Sequence, residues 1–365
     1  MTILHLDEQR GWRGGEQQAS WLIQGLVQRG HAALVAGRRG SRFLAADYGG
    51  SADHGVGEVP RIAAPFVTEL DVWSAWKVSR IVRRFAVDIL HAHSSHAHSY
   101  ACMARALAGR GKVVVSRRVS FRPRPGALNR WKYAQADRII AVSNRVADVL
   151  HEYGLTEPQV VVVHSSVDPA RLEAVPLSRC ELGVPEGVPL LGTAGALVGH
   201  KDHENLLMAL PAVLREFPDL HLVIAGEGEL RPALEAKIAA LGLGKSVTLL
   251  GHREDVPRIL RALDVYVSSS WSEGLGTSVL EALACEVPVV ATAAGGVSEM
   301  VLHEKTGLLV PVRDPAALAA SIVRALREPE HAKAMGRAGR ALVLERFSVD
   351  RMVESTLKVY EGLLQ

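Results

Sequence analysis

The sequence predicts an α/β protein of two Rossmann-like, doubly wound domains facing each other across a cleft. Three observations predict it. Short β-branched runs alternate with longer helical patterns along the whole chain, as parallel strands joined by crossover helices require. Several runs, such as "KVVVSR" and "VVVVHSS", are almost unbroken in apolar residues, as strands covered on both faces are. The length of 365 residues exceeds what a single small core organises.

In the first half, "TILHL", "AALVAG", "DILHAH", "KVVVSR", "RIIAVS" and "VVVVHSS" read as strands. Between the first two lies a helix over Gln17–Arg29. Its apolar residues Ala19, Leu22, Ile23, Leu26 and Val27 follow a 3.6 period, and Gly30 stops it. Ser143 is a candidate N-cap for a helix whose stripe is Val146, Val149, Leu150 and Tyr153, ended by Gly154. In the second half the strands are "PLLGTAGAL", "LHLVIAG", "VTLLG", "DVYVSSS", "PVVATAA" and "GLLVP". Residues 165–189 are rich in Pro and polar residues and show little periodicity. The expected division is therefore a first domain over 1–170, a linker over 171–188 and a second domain over 189–345. Residues 346–365 carry Met352, Leu357, Val359, Tyr360 and Leu363 at helical spacing. They read as an amphipathic helix that needs an apolar partner, expected in the first domain.

Composition narrows the function classes. Hydrophobic residues make up 48% and charged residues 22%, an ordinary soluble balance. The N-terminus "MTILHLDEQ" lacks a basic leader and signal-length apolar run, and no run of roughly 18 apolar residues occurs. Cys102, Cys180 and Cys285 form no CxxC. A reduced, cytoplasmic chain is expected. Charge is uneven: Lys77–Leu150 holds 15 Lys/Arg against Asp88, Asp137 and Asp148. Such a face can be merely solvated, or can meet nucleic acid, anionic lipid or a phosphorylated substrate.

The stretch "WSEGLGTSVLEALACEVPVV" (271–290) carries the strongest site signal. It places a loop at the carboxyl end of a strand, where ligands of such sheets bind. Gly274 and Gly276 allow close backbone approach. The helix that follows starts near Thr277 and offers free N–H groups and a positive dipole end to an anion. Glu281, one turn on, can accept two hydrogen bonds from a diol such as a ribose. Glu273, on the other side of the anion site, can accept from sugar hydroxyls. On spacing alone, a turn residue and a surface helix residue explain the two acids equally well.

With its E-x7-E spacing, "VPVVAT" strand and GG turn, this region resembles the retaining glycosyltransferases of family 4, which have the GT-B fold. The resemblance runs along nearly the whole chain: "RGGEQQ", "ADRIIAVSNRVADVL", "VVVVHSSVD", "GALVGHKDHENLLMAL", "AGEGELRPALE", "VTLLGHREDVPRIL", "AAGGVSEMV", "TGLLVP" and "ERFS" stand in family order. It implies that Glu273 holds the donor sugar. It also implies that Gly274, Leu275, Gly276 and Thr277 meet sugar and diphosphate through their N–H groups. Glu281 binds the ribose, Lys201 neutralises the diphosphate, and Gly14–Gly15 bring first-domain backbone to it. His252 and Arg253 frame the base. The donor is then a nucleotide sugar, the acceptor a glycan or glycolipid, and no metal or other cofactor is required.

Two departures stand out. The family often has an Arg where this chain has Ala196; His200 is the nearest candidate for the missing cation. Many members carry a first-domain His where "VVVSRRVSF" places Arg118, a permanent cation in place of a switchable imidazole. "HAHSSHAHS" contributes His91, His93, His96 and His98. Metal binding is one reading, but no carboxylate partner is evident, so a cleft-lining loop with His93 foremost is expected. The segment 112–138 interleaves basic residues with Phe121, Trp131 and Tyr133. It suits anionic lipid or a phosphorylated glycolipid better than nucleic acid. A cytoplasmic enzyme, peripheral on the inner face of the plasma membrane and serving lipopolysaccharide or envelope polysaccharide assembly, is the resulting expectation. The rival is a non-catalytic nucleotide or nucleic-acid binder on the same fold. A nicotinamide oxidoreductase is disfavoured, because "RGGEQQ" lacks G-x-G-x-x-G.

Overall fold

The computed structural model describes residues 1–49 and 58–365. It divides into two units, Met1–Ser165 with Val349–Gln365, and Ser166–Ser348. The first unit holds β1 (Thr2–Asp7), β2 (Ala32–Arg38), β3 (Arg61–Ala64), β4 (Ile89–Ala92), β5 (Lys112–Arg117), β6 (Arg138–Ala141) and β7 (Val160–Val162). They form one sheet in the order β3-β2-β1-β4-β5-β6-β7. Every pairing is parallel. β1, β4 and β5 are almost wholly buried, which is why they read as apolar runs rather than alternating ones.

β3, "RIAA", was not expected. It is an edge strand of four residues with only Ala64 buried, too short and mixed to show a period. The helix after β1 runs Gly14–Gln28, beginning three residues before the expected start at Gln17 and ending one before the expected Arg29. Ser143 does cap its helix: its hydroxyl accepts from the Val146 N–H at 3.2 Å.

The second unit holds β8 (Leu190–Ala194), β9 (His221–Ala225), β10 (Val247–Gly251), β11 (Val265–Ser268), β12 (Val289–Thr292) and β13 (Leu308–Val310). Its order is β10-β9-β8-β11-β12-β13, again all parallel. The expected linker over 171–188 is not a free tether. Leu172, Leu177, Leu182 and Val184 are buried, and the Leu177 N–H donates to the Arg258 carbonyl at 3.1 Å. Leu172 and Leu182 end two short 3-10 turns, Pro169–Leu172 and Cys180–Leu182, while Leu177 and Val184 lie in irregular chain, so their spacing hides them from any periodicity test.

The helix Val349–Leu364 completes the first unit. Met352, Val353, Val359 and Tyr360 join Ile3, Trp21, Leu22 and Leu26 in one core. A Cβ on Gly25 would lie 2.5 Å from Val353 Cγ2, so glycine lets the two helices touch at backbone distance. Arg29 reaches Asp350 at 2.8 Å, and the Tyr360 hydroxyl meets His91 Nδ1 at 2.5 Å.

Candidate functional site

In a doubly wound sheet the ligand crevice opens where neighbouring strands send their connections to opposite sides. In the second sheet that point lies between β8 and β11, adjacent strands far apart in sequence. The loop after β8 ends in a turn, Gly199–Lys201, and the loop after β11 carries residues 269–276. Three hydrogen bonds clip the loops together. The Trp271 N–H donates to the His200 carbonyl at 3.0 Å, Trp271 Nε1 donates to Gly199 at 3.0 Å, and Ser269 Oγ donates to Lys201 at 3.1 Å.

This clip puts two of the expected site residues in contact. Lys201 Nζ lies 2.6 Å from Glu273 Oε1, and Ser270 Oγ donates to the same oxygen at 2.7 Å. Their side chains keep only 19% and 10% of their exposure, so the pair is well shielded without being sealed. Burial pulls the Lys201 pKa down, but the Glu273 carboxylate more than compensates, with smaller help from Tyr266 and Glu281, and holds it above the ordinary value. The ammonium therefore stays charged across the physiological range. His203, beside it, is buried, and burial first and Lys201 second push its pKa down to about 4. It stays neutral, and its position inside an apolar helix pattern carried no signal.

The helix Thr277–Ala284 starts at this pair. Gly276 precedes it at φ +97°, a left-handed conformation that favours glycine. Gly274, Leu275 and Gly276 are buried, whereas Thr277 and Glu281 are half-buried. The first N–H groups of a helix lack acceptors in the turn before them, and this helix starts four residues after Glu273, the partner of Lys201. Gly295, in the turn after β12, lies at φ +58°, and a Cβ there would fall 1.9 Å from the Glu273 carbonyl oxygen. That turn thus braces the backbone of Glu273 directly.

The other expected residues of this unit are more loosely placed. His252 is exposed in the loop after β10. Arg253 is half-buried and paired with Asp255 through two bonds of 2.7 and 2.6 Å. Ala196 is half-buried, and its carbonyl accepts from the Val198 N–H at 2.9 Å. His200 is half-buried in the turn beside Lys201.

In the first unit, Gly14 and Gly15 open the helix after β1. A Cβ on Gly15 would lie 3.5 Å from Arg118 Cδ. Arg118, at the carboxyl end of β5, is not a solvated surface residue. Burial lowers its pKa to about 10 against the pull of Asp7 and Glu16, and its Nε has no partner among the described residues. Burial, then the neighbouring Glu16 charge, raises Asp7 to about 8. Neither acid was singled out by sequence; both sit where apolar patterns end.

His93, expected to line a cleft, is 5% exposed. It packs with His5 and His91, and the ring nitrogens of the three lie within 4.8 Å of one another. His93 Nε2 meets His5 Nδ1 at 3.0 Å. His91 spends its nitrogens on Tyr360 and on Ser116 Oγ at 2.9 Å. Burial lowers the pKa of all three, so they are neutral. His91 is bonded on both sides, which makes this a hydrogen-bonded core cluster, not an open ligand set. His98 lies elsewhere, bonded to the Lys132 carbonyl at 2.8 Å, and His96 is exposed.

Residues 12–171 match the family described as Glycosyltransferase Family 4, and residues 176–342 match Glycosyl transferases group 1. The 2-deoxystreptamine glucosyltransferase of Streptomyces kanamyceticus is 31% identical over 65% of this chain, and that match covers 64% of its own length, under two thirds. The putative glycosyltransferase EpsD of Bacillus subtilis is 28% identical, over 79% of this chain and 80% of its own. The crystal structure of Anabaena HepE in complex with UDP and glucose superposes with a TM-score of 0.84 at 21% identity, covering 99% of this chain and 100% of that one. With two sequence matches spanning most of its length and this fold, the chain belongs to glycosyltransferase family 4 and has the GT-B architecture.

Proposed function

We propose that the chain is a retaining glycosyltransferase that moves a sugar from a nucleotide-diphosphate sugar to a hydroxyl of a glycan or glycolipid. The observation that carries this reading is the Lys201–Glu273 pair at 2.6 Å beside the start of the helix Thr277–Ala284. A cation and a set of free N–H groups suit a diphosphate leaving group. Glu273 then accepts from the sugar hydroxyls, Glu281 from the ribose diol, and His252 and Arg253 border the base. The N–H groups of Gly274, Leu275, Gly276 and Thr277 meet sugar and phosphates. Because Lys201 and the helix start supply the positive charge, the proposal needs no metal. Gly14, Gly15 and Arg118 are the first unit's candidates for the same reaction, with Arg118 still cationic despite its burial. Retention means that the acceptor hydroxyl enters on the face the diphosphate leaves.

A relative named as a glucosyltransferase and a fold neighbour bound to UDP and glucose favour a UDP-sugar. No helix among the described residues is long and apolar enough to cross a membrane. The basic first unit supports work on the cytoplasmic side of an envelope, on lipopolysaccharide or a related polysaccharide, with an anionic membrane surface as partner.

Incubation with UDP-, GDP- and ADP-sugars tests the reading. One donor is expected to release free sugar slowly, with the anomeric configuration of the donor visible by NMR. Lys201→Ala and Glu281→Ala should weaken donor binding, and Glu273→Ala should chiefly slow release. Unchanged activity in both Glu variants sinks the site assignment, and stabilisation by no nucleotide sugar favours a non-catalytic binder.

A further inference from the structure

Among the described residues, a helix of the first unit that the assigned site does not use leaves an apolar face exposed. The helix Val72–Arg84 is capped by Asp71, whose carboxylate accepts from the Ser74 N–H at 3.0 Å. Its buried stripe, Ala75, Val78 and Val82, recurs every three to four residues, and packs on the helix Ser95–Ala108. The opposite face is not uniformly polar. Val72 is 64% exposed, Trp73 60% and Trp76 39%, and the preceding loop adds Val67 at 64% and Leu70 at 54%. The two indoles stack with centroids 4.9 Å apart, and Arg80 lies 5.1 Å over the Trp76 ring. Positions 73, 76, 77, 80 and 84 share a single stripe at i, i+3, i+4, i+7 and i+11. It therefore begins with Trp73 and Trp76 and continues through Lys77 and Arg80 to Arg84.

The face is held firmly. Phe66 stacks on Tyr100 at 4.6 Å, the Tyr100 hydroxyl donates to the Thr68 carbonyl, and Ser74 Oγ accepts from the Phe66 N–H at 2.9 Å. Glu69 is drawn inward by Lys132 at 2.6 Å and by Ser99 at 3.0 Å. Both acids of the segment, Glu69 and Asp71, are thus engaged, whereas Lys77, Arg80, Arg83 and Arg84 stay exposed and form no ion pair with an acid among the described residues. Lys77 and Arg83 bond to the carbonyls of Ala63 and of Leu107 and Ala108, and Arg80 and Arg84 lie over Trp76 and Phe85.

We propose that the face from Val67 to Arg84 is a docking surface for an anionic lipid bilayer. Tryptophan favours the water–hydrocarbon boundary, and basic side chains beside it are drawn to acidic headgroups. A contiguous apolar patch of this kind is unusual on a monomer that meets only water. The alternatives fit less well. A second copy would set four cations against four like cations. A nucleic acid could stack on the indoles but has no use for Val67, Leu70 and Val72. The surface differs from the basic loop at 112–138 that the sequence suggests, although Val119, Phe121 and Trp131 are exposed there. Val67 also lines a cavity of about 390 Å³ with Glu8, Arg10, Arg13, Arg38 and His96. If the chain is a transferase as proposed above, a lipid-linked acceptor could enter that cavity without leaving the bilayer. The docking rests on that reading only for its membrane partner, and the vesicle measurement is independent of transfer.

Co-sedimentation of the full chain with vesicles tests it without any nucleotide sugar. Vesicles of equal parts phosphatidylglycerol and phosphatidylethanolamine should bind the chain at low salt, with a blue shift of tryptophan emission. Vesicles of phosphatidylcholine should bind far less. Trp73→Ser with Trp76→Ser should weaken binding about tenfold or more and remove most of the blue shift. Arg80→Glu with Arg84→Glu should weaken it at low salt by a similar factor. Thermal melts check that each variant is folded, and Trp76→Ser alone serves if the double variant is not. Failure of the wild type to bind acidic vesicles overturns the proposal. So does unchanged binding in both pairs of variants, which would move the contact to residues 112–138. Vesicle-independent self-association that Trp73→Ser with Trp76→Ser abolishes would replace the bilayer with a second copy.

Discussion

Replacing Glu273 by Gln separates two effects of one carboxylate. In this structure Glu273 neutralises Lys201 at 2.6 Å. A diphosphate that takes Lys201 must draw it from that carboxylate and then sit beside a like charge. With phosphate oxygen and carboxylate about 5 Å apart and an effective dielectric near 20, the repulsion is about 3 kcal/mol. The two side chains keep 19% and 10% exposure. Solvent and salt therefore leave about 1–2 kcal/mol of it. Gln keeps the shape and an oxygen for Ser270 but drops the charge. Glu273→Gln is therefore expected to tighten nucleoside diphosphate binding about 5- to 30-fold. Lys201→Ala, which loses a charge-assisted contact, should weaken it about 10- to 100-fold. Sugar release should fall in both. Calorimetric titration with UDP, GDP and ADP reads the two directions. If Glu273→Gln weakens binding as Lys201→Ala does, the carboxylate holds the nucleotide, and the reasoning fails.

Other expectations follow from the packing. Gly295→Ala forces a Cβ to 1.9 Å from the Glu273 carbonyl oxygen; it should cost about 2–3 kcal/mol in the second unit and impair donor binding. Gly244→Ala meets nothing within 4 Å and should change the melting temperature little. Tyr360→Phe removes the bond to His91 at about 1 kcal/mol, and Tyr360→Ala empties core volume at about 3–5 kcal/mol; equal losses in denaturant melts would contradict that packing. Asp7 has a pKa raised to about 8, above its unfolded value of about 4. The folded state therefore holds a proton that the unfolded state releases, and Asp7 makes stability fall as pH rises between those values. Asp7→Asn should flatten that fall in melts taken from pH 5 to 9. An unchanged slope would place the titration elsewhere.

The sheets were legible because buried parallel strands are written as apolar runs: "LHLVIA" and "VVAT" admit little else. β3 was not, since "RIAA" has one buried residue at a sheet edge. The buried leucines of 171–188 show no period because they sit on short 3-10 turns, as Leu172 and Leu182 do, or in irregular chain, as Leu177 does. At the site, sequence could place Lys201 after one strand and Glu273 after another. Their contact depends on β8 and β11 being neighbours, a matter of topology. The setting of Arg118 was hidden for the same reason: Asp7 and Glu16 reach it from β1 and the next helix. His5 lies within an apolar strand opposite His91, and nothing in a linear reading joins it to the "HAHSSHAHS" run. The Trp73–Trp76 face was not read from the sequence: Val72–Arg84 mixes two tryptophans and four cations with its buried Ala75, Val78 and Val82.

A crystal structure of the chain with a nucleoside diphosphate tests the central claim most directly. The diphosphate should lie at the start of the helix Thr277–Ala284, within hydrogen-bond distance of Lys201 Nζ, with the ribose diol on the Glu281 carboxylate. A nucleotide bound away from Lys201, or with its ribose turned from Glu281, would contradict the account.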